Sequence, residues 1–372
     1  MITGKEMRST ISGDGRLTLS IEEVSIDDPR EDEIVVRVEA TPINPTDLAL
    51  LLGPADVTSV IMSDSSEPEL TFTVPQARMA TVEGRLGLSL PIGLEGAGTV
   101  IAAGPQAKAL EGRVVATMSG GMFAEFRKVS ARDVIVLPDG RSAADGASIV
   151  NAMTALGMVE TAKLEGHRAI LHTAAASNLG QMMQKICSAD SIPLINIVRS
   201  KEQVDLLRGI GAVHVLNSVD GDFRDRLIDA IAETDATIAF DAIGGGTMGD
   251  QILQAMERAA VRKMTNFVRT GSDVFKQLYI YGALDLSPTV LNRPAFGYRW
   301  GAAGWIIFSF LRSIGQDGLD RLTQRMLSEL TTTFASHYTR VIGLREALQP
   351  DILQAYQRKA TGEKYLIDPT RS

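Results

Sequence analysis

From Arg168 onward the chain repeats one pattern, a short apolar run rich in β-branched residues followed by an amphipathic segment. The runs are RAILH at 168–172, PLINIV at 193–198, VHVL at 213–216 and ATIAF at 236–240, and the amphipathic segments start at Asn178, Lys201 and Phe223. None of the runs alternates apolar and polar residues, so a strand made from any of them needs cover on both faces. Helices supply that cover in a parallel, doubly wound sheet. After Gly246 the pattern predicts another helix, an irregular piece over Arg262 to Lys276, and a fifth strand over Leu278 to Gly282. Gly304 to Leu330 reads as a helical region broken near Gly315 to Gly318.

The first 150 residues have a different texture. Glu33 to Ala40 alternates apolar and polar residues, and Gly-rich turns separate Gly98 to Ala103, Arg113 to Met118 and Val134 to Leu137, which together predict a β-rich domain. The tail, Thr331 to Ser372, returns to short strands with one helix around Leu348 to Arg358. Gly53 to Pro91, with its polar cluster at Ser63 to Glu69, reads as a long insertion.

Composition narrows the function classes. In 372 residues, 45% hydrophobic and 22% charged, there is ample material for two packed cores, and the net charge of −8 provides no global positive field to collect nucleic acid or anionic membrane. The single cysteine, Cys187, allows no internal disulfide and no thiolate cluster, and is expected as a small core side chain. Met1 to Ser20 has no apolar core of signal length, and the longest apolar stretch, near Gly304 to Leu311, is far below the ~20 residues of a membrane span. A soluble cytoplasmic protein is expected.

The first strand-to-helix turn is His172-Thr173-Ala174-Ala175-Ala176-Ser177-Asn178-Leu179-Gly180, built almost wholly of small side chains. A pyrophosphate needs backbone N–H groups at close range with a helix N-terminus behind them, and this turn would permit that approach. The places of the usual three glycines are taken here by Ala174, Ser177 and Gly180. A plain turn whose helix is capped by Ser177 or Asn178 fits the same residues.

TAAASNLGQ resembles the Thr-Gly-Ala-Ala-Gly-Gly-Val-Gly turn of the quinone oxidoreductase branch of the medium-chain dehydrogenase/reductase superfamily. Further marks follow in family order: INPTD at Ile43 to Asp47, PIGLEGAGTV at Pro91 to Val100, FAEF at Phe123 to Phe126, LPDG at Leu137 to Gly140, IGAVHVLN at Ile210 to Asn217, FDAIGGG at Phe240 to Gly246 and TGEKYLI at Thr361 to Ile367. The resemblance implies an α/β fold in which a GroES-like β-rich domain, residues 1–150 and 331–372, is split between both chain ends. A Rossmann domain with a doubly wound parallel sheet, residues 151–330, is inserted into it.

It also implies a nicotinamide cofactor on Asn151, Thr173, Ala174, Ser177, Asn178, Leu179, Gly180 and Gly282. At the end of the second strand, where an NAD enzyme of this family would carry an acid for the ribose diol, stands Val198, followed by Arg199, Ser200 and Lys201. Cations in place of an acid point to a 2′-phosphate and hence to NADP(H); a solvated basic helix start fits the same three residues. Ser218 replaces a Tyr that some relatives place near this phosphate.

The zinc-dependent members of the superfamily hold metal with Cys and His, and here the first two ligand positions read Asn44 and Leu94, so no metal is expected. Glu95 is expected to pack or hydrogen-bond, and His172 to be structural. Residues 1–278 contain no Tyr, which argues against the β-domain Tyr acid of enoyl reductases. The family places Asn44 and Thr154 beside the nicotinamide as the catalytic pair. The implied activity is zinc-independent hydride transfer from NADPH to a quinone-like electrophile. Reduction of activated alkenes such as 2-enals, and nucleotide binding without turnover, are the alternatives. A homodimer is implied; the apolar stretch Trp300 to Leu311 fits a contact between copies and core packing equally.

Overall fold

The structure, a computed structural model, describes residues 1–63, 68–357 and 363–371. The end of the tail helix at Arg358, Thr361 and Gly362 of the last family mark, Ser372, and most of the polar cluster at Ser63 to Glu69 lie outside the described residues. The chain divides into two compact units, Met1–Val150 with Glu329–Ser372, and Asn151–Ser328.

In the first unit the alternating segment forms the strand Glu33–Pro42. It pairs antiparallel with Gly96–Ala103, with Phe126–Ser130 and with Tyr365–Ile367, so one strand joins the N-terminal and C-terminal portions of the chain. Tyr365–Ile367 pairs in turn with Arg340–Ile342. A second sheet is built on the hairpin Ile2–Ile11 and Arg16–Ile26. The expected insertion is not simply a loop. Its strands Asp56–Met62 and Leu70–Thr73 pair with each other, and Leu70–Thr73 extends the second sheet alongside Arg16–Ile26. Strand alternation in LTFT sends Leu70 and Phe72 into the core with Met7, Leu17, Leu19, Ile342 and Leu348.

In the second unit six parallel strands lie in the order His214–Asn217, Leu194–Val198, Ile170–His172, Ile238–Asp241, Lys276–Ile280, Trp300–Gly304. In chain order this is 3-2-1-4-5-6, the Rossmann arrangement. Every residue of the strands Ile170–His172, Leu194–Val198 and Ile238–Asp241 is buried, while His214–Asn217 is half-buried at His214. The intervening helices start where expected, at Asn178, Lys201 and Phe223. Ser177 and Ser200 cap the first two, and Asp235, in the left-handed conformation at φ 57°, ends the third. The fifth strand begins two residues earlier than its apolar pattern suggested, because Lys276 enters the core paired with Glu257.

The sixth strand, WGAAG, was not foreseen. It contains no β-branched residue, and it is held by parallel pairing to Lys276–Ile280. Trp300 to Leu311 is therefore not one continuous apolar surface but a strand followed by the helix Ile307–Ser313, and Gly315, at φ 66°, opens the next helix. No helix among the described residues is long and apolar enough to cross a membrane.

Candidate active site

The order of the parallel sheet reverses between Ile170–His172 and Ile238–Asp241, where ligands of such sheets bind beyond the strand ends. Both following loops are close-packed. Ala174 takes the left-handed conformation, φ 50°, at a cost of about 1–2 kcal/mol for a residue with a Cβ. The family's turn has Gly at this position. The Ala175 N–H donates to the Ile197 carbonyl at 3.2 Å, binding the turn to the second strand. A Cβ on Gly180 would sit 2.1 Å from the Ala175 carbonyl oxygen, so the close approach of helix to loop requires glycine there. The Ser177 hydroxyl accepts from the Gly180 N–H at 3.2 Å, capping the helix Asn178–Ala189. Leu179 is buried against it.

The second loop is fastened to the first by Asp241, whose buried carboxylate accepts from the Thr173 hydroxyl at 2.7 Å and from the N–H groups of Ile243 at 3.0 Å and Gly244 at 3.1 Å. Thr173 also accepts from the Ala242 N–H at 2.8 Å. Sequence reasoning quoted Asp241 within FDAIGGG but gave it no role. Gly282 packs on this same loop, and a Cβ there would meet the Ala242 carbonyl at 2.4 Å, so its absent side chain has a structural reason. His172 is fully buried, bonded through Nε2 to the Tyr281 hydroxyl at 2.7 Å and stacked on that ring. Burial pushes its pKa down to about 3, so the ring is neutral at ordinary pH, consistent with a structural role.

Arg199 and Lys201 are exposed at the end of the second strand, and neither forms a salt bridge among the described residues. Ser200 caps the helix Lys201–Gly209 through the Gln203 N–H at 3.4 Å. The Ser218 N–H donates to the Val198 carbonyl at 2.8 Å, which sets Ser218 beside this basic turn. Asn151 and Thr154 lie on the helix Ile149–Leu164. Thr154 is buried, yet its hydroxyl makes no hydrogen bond among the described residues, unlike Thr161, which bonds back to the Gly157 carbonyl at 2.8 Å.

In the β-rich unit the residues around Asn44 form a buried polar cluster. The Asn44 carboxamide donates to Glu95 Oε1 at 2.7 Å, and the Val150 N–H donates to Glu95 Oε2 at 2.6 Å. Asp47 accepts from the N–H groups of Asn44 and Leu94, both at 2.8 Å. Lys364 donates to the Ser148 hydroxyl at 2.7 Å, and the Tyr338 hydroxyl lies 2.9 Å from the same oxygen. Burial pushes the pKa of Glu95 up to about 7 against the opposing charge of Lys364. Burial likewise lifts Asp47 to about 7, against its two N–H donors, and draws Lys364 down to about 8 against the two carboxylates.

Sequence reasoning missed Lys364, Ser148 and Tyr338. Counting Tyr only to residue 278 also left out the tail, which belongs to this unit and brings Tyr338, Tyr356 and Tyr365 into it; the β-rich unit does contain tyrosine. Among the described residues no group of three or more His, Cys, Asp or Glu side chains is placed to hold a metal ion.

No protein-family model matches the chain. A protein of Leishmania amazonensis assigned as a quinone oxidoreductase is 27% identical over 171 residues, 45% of this chain and 50% of that protein. The chain thus spans about half the length of this relative. Structural likeness runs nearly end to end. A Mesorhizobium loti protein assigned as an NADPH:quinone reductase matches with 25% identity and a TM-score of 0.74, over 99% of this chain and 98% of its own. The chain is thus similar, in part of its sequence and in its fold, to proteins of the quinone oxidoreductase branch of the medium-chain dehydrogenase/reductase superfamily. A mitochondrial 2-enoyl thioester reductase heterodimer of Candida tropicalis shares the fold at 19% identity, with a TM-score of 0.70 over 99% of this chain and all of its own. The fold of these relatives, a GroES-like β domain with a Rossmann domain, is the fold of this chain.

Proposed function

We propose that the protein is an NADPH-dependent oxidoreductase that reduces a quinone-like acceptor. The observation that carries this reading is the first turn at the reversal of the parallel sheet. Ala174 holds the left-handed conformation that opens the loop, and Gly180 lets helix and loop approach to within contact of backbone atoms. The small side chains leave room for a pyrophosphate at the start of Asn178–Ala189, whose first-turn N–H groups have no acceptors within the helix. Residues and cofactor fit on that ground.

Thr173, Ala174, Ser177, Asn178, Leu179 and Gly180 would hold the pyrophosphate. Arg199 and Lys201, exposed and in no salt bridge among the described residues, would take the 2′-phosphate, with Ser200 beside them. Asn151 and Gly282 would border the nicotinamide portion, with Asn44 and Thr154 as orienting groups. Bound NADPH supplies the hydride. A quinone reduced in this way can take its proton from water, so the protein's part is positioning, without zinc.

Tyr338 favours a second reading, reduction of an activated alkene, because a tyrosine joined through Ser148 to Lys364 is a plausible proton source. A homodimer is the expected assembly, since the outer edge of Trp300–Gly304 pairs with no strand among the described residues. The test is NADPH oxidation with a panel of 1,4-quinones and 2-enals at one cofactor concentration. Faster turnover of quinones supports the first reading and faster turnover of enals the second. Tight NADPH binding without oxidation by any electrophile refutes both and leaves a nucleotide-binding protein.

A further inference from the structure

We propose that Glu95 is a positioning residue that dictates which atom of the Asn44 side chain is presented outward, and that this atom is the acceptor Oδ1. The inference rests on the reading above, in which Asn44 lies beside the nicotinamide. The two oxygens of Glu95 are committed to two donors, Val150 N–H and the Asn44 side chain. A backbone N–H cannot turn round, and above about pH 7, where the Glu95 carboxylate is ionised, it only accepts, so there the amide group of Asn44 must face Glu95 with its nitrogen. The Asn44 backbone is pinned at the same time by its N–H bond to Asp47.

No donor among the described residues reaches Asn44 Oδ1. The groups acting on Glu95 are Lys364, which favours its ionised form, and Asp47, which opposes it. Ser148 and Tyr338 lie beyond Lys364. Glu95 itself is fully buried and Asn44 nearly so, so water does not compete for the bond between them. Asn44 is therefore set to hold an N–H or O–H donor, such as the nicotinamide carboxamide or a ribose hydroxyl. It is not set to donate to an oxyanion formed on the acceptor.

Glu95→Gln inverts this arrangement without changing its shape. The fixed Val150 N–H claims the new side chain's only oxygen, its NH2 then faces Asn44, and the Asn44 amide must flip to present its nitrogen outward. Adding Asn44→Asp restores an acceptor on both sides and returns the charge removed from Glu95. Parent, Asn44→Ala, Glu95→Gln and the double variant Asn44→Asp/Glu95→Gln are compared by NADPH titration calorimetry and by steady-state reduction of 1,4-naphthoquinone, with thermal melts to verify folding.

Glu95→Gln should lose roughly tenfold in kcat/KM, about as much as Asn44→Ala, and the double variant should recover to within roughly threefold of the parent. Should Glu95→Gln fail to fold, Asn44→Asp alone keeps Glu95 and an outward oxygen. At pH 6, where the two carboxylates share a proton, it should exceed Asn44→Ala by at least roughly threefold. Loss in Asn44→Ala with parental activity in Glu95→Gln, or no recovery in the double variant, overturns the positioning role while leaving Asn44 at the site. Parental activity in Asn44→Ala overturns both that placement and the inference. A parent that binds no NADPH overturns the functional reading and the inference with it.

Discussion

Ala174 is the residue at which the phosphate-loop reading can be tested through stability alone. It holds φ 50°, which costs a side chain with a Cβ about 1–2 kcal/mol. Ala174→Gly removes that strain. Against it stand the extra freedom of glycine in the unfolded chain, about 0.4–1 kcal/mol, and the burial of part of one methyl, worth at most about 0.4 kcal/mol at a half-buried site. The balance is a stabilisation of about 0.5 kcal/mol, or a rise of roughly 1–2 °C in Tm for a domain of this size. The neighbouring substitution has the opposite sign. Ala175 is fully buried, has no positive φ and donates to Ile197, so Ala175→Gly loses about 0.8 kcal/mol of methyl burial together with the same entropic term. It should melt roughly 2–6 °C below the parent. Differential scanning calorimetry of the two variants reads the difference directly, and NADPH affinity should be undiminished in Ala174→Gly. If Ala174→Gly melts as low as Ala175→Gly, the left-handed loop and the pyrophosphate site built on it are wrong.

Three further outcomes follow from the same geometry. Arg199→Ala should weaken NADPH roughly ten- to a hundredfold while leaving NADH within about twofold, by calorimetry, because one charge-assisted contact to phosphate is worth about 1.5–3 kcal/mol. Asp241→Ala strands the Thr173 hydroxyl and the N–H groups of Ile243 and Gly244 in a buried site; denaturant melts should show a loss of about 2–4 kcal/mol, and an effect below 0.5 kcal/mol would contradict the fastening role. Asp47 and Glu95 hold protons in the folded protein up to about pH 7 that the unfolded chain releases near pH 4, so their contribution to stability is present at low pH and is lost as pH rises toward 7. Lys364 adds the opposite slope from about pH 8 upward, and between pH 5 and 7.5 Tm should therefore fall less steeply in Asp47→Asn than in the parent, equal slopes counting against the buried cluster.

The parallel sheet was legible because its first four strands are mostly apolar without the alternation of a half-exposed strand, which two-sided cover explains, and Leu194–Val198 is buried at every position. The sixth strand was not legible. Trp300–Gly304 owes its conformation to the edge of Lys276–Ile280, a partner distant in sequence, and its own residues favour no strand. The insertion was located but its strands were not, because among its many Pro, Ser and Asp residues the alternation that joins it to the second sheet rests on Leu70 and Phe72.

The site divides along the same line between local and distant information. The Ala174–Gly180 turn could be found because a loop and the helix it opens are contiguous, so one stretch of small residues records both the tight bend and the close approach. The cluster around Asn44 draws on residues 44, 47, 95, 148, 338 and 364, which come from separate parts of the chain, so no single motif records which of them meet. Glu95 shows why a single residue was hard to judge. The sequence predicted no more than packing or a hydrogen bond, and the carboxylate accepts from both the Val150 N–H and the Asn44 amide. A carboxylate kept in a fully buried position at the cost of desolvation needs a compensating cation, and the chain supplies Lys364, which directly precedes the tail strand Tyr365–Ile367 that pairs with Glu33–Pro42, the strand leading into Asn44. That pairing makes the C-terminal segment part of the Asn44 environment, so a substitution at Lys364 should act on the same step as one at Glu95, although 269 positions of sequence separate them.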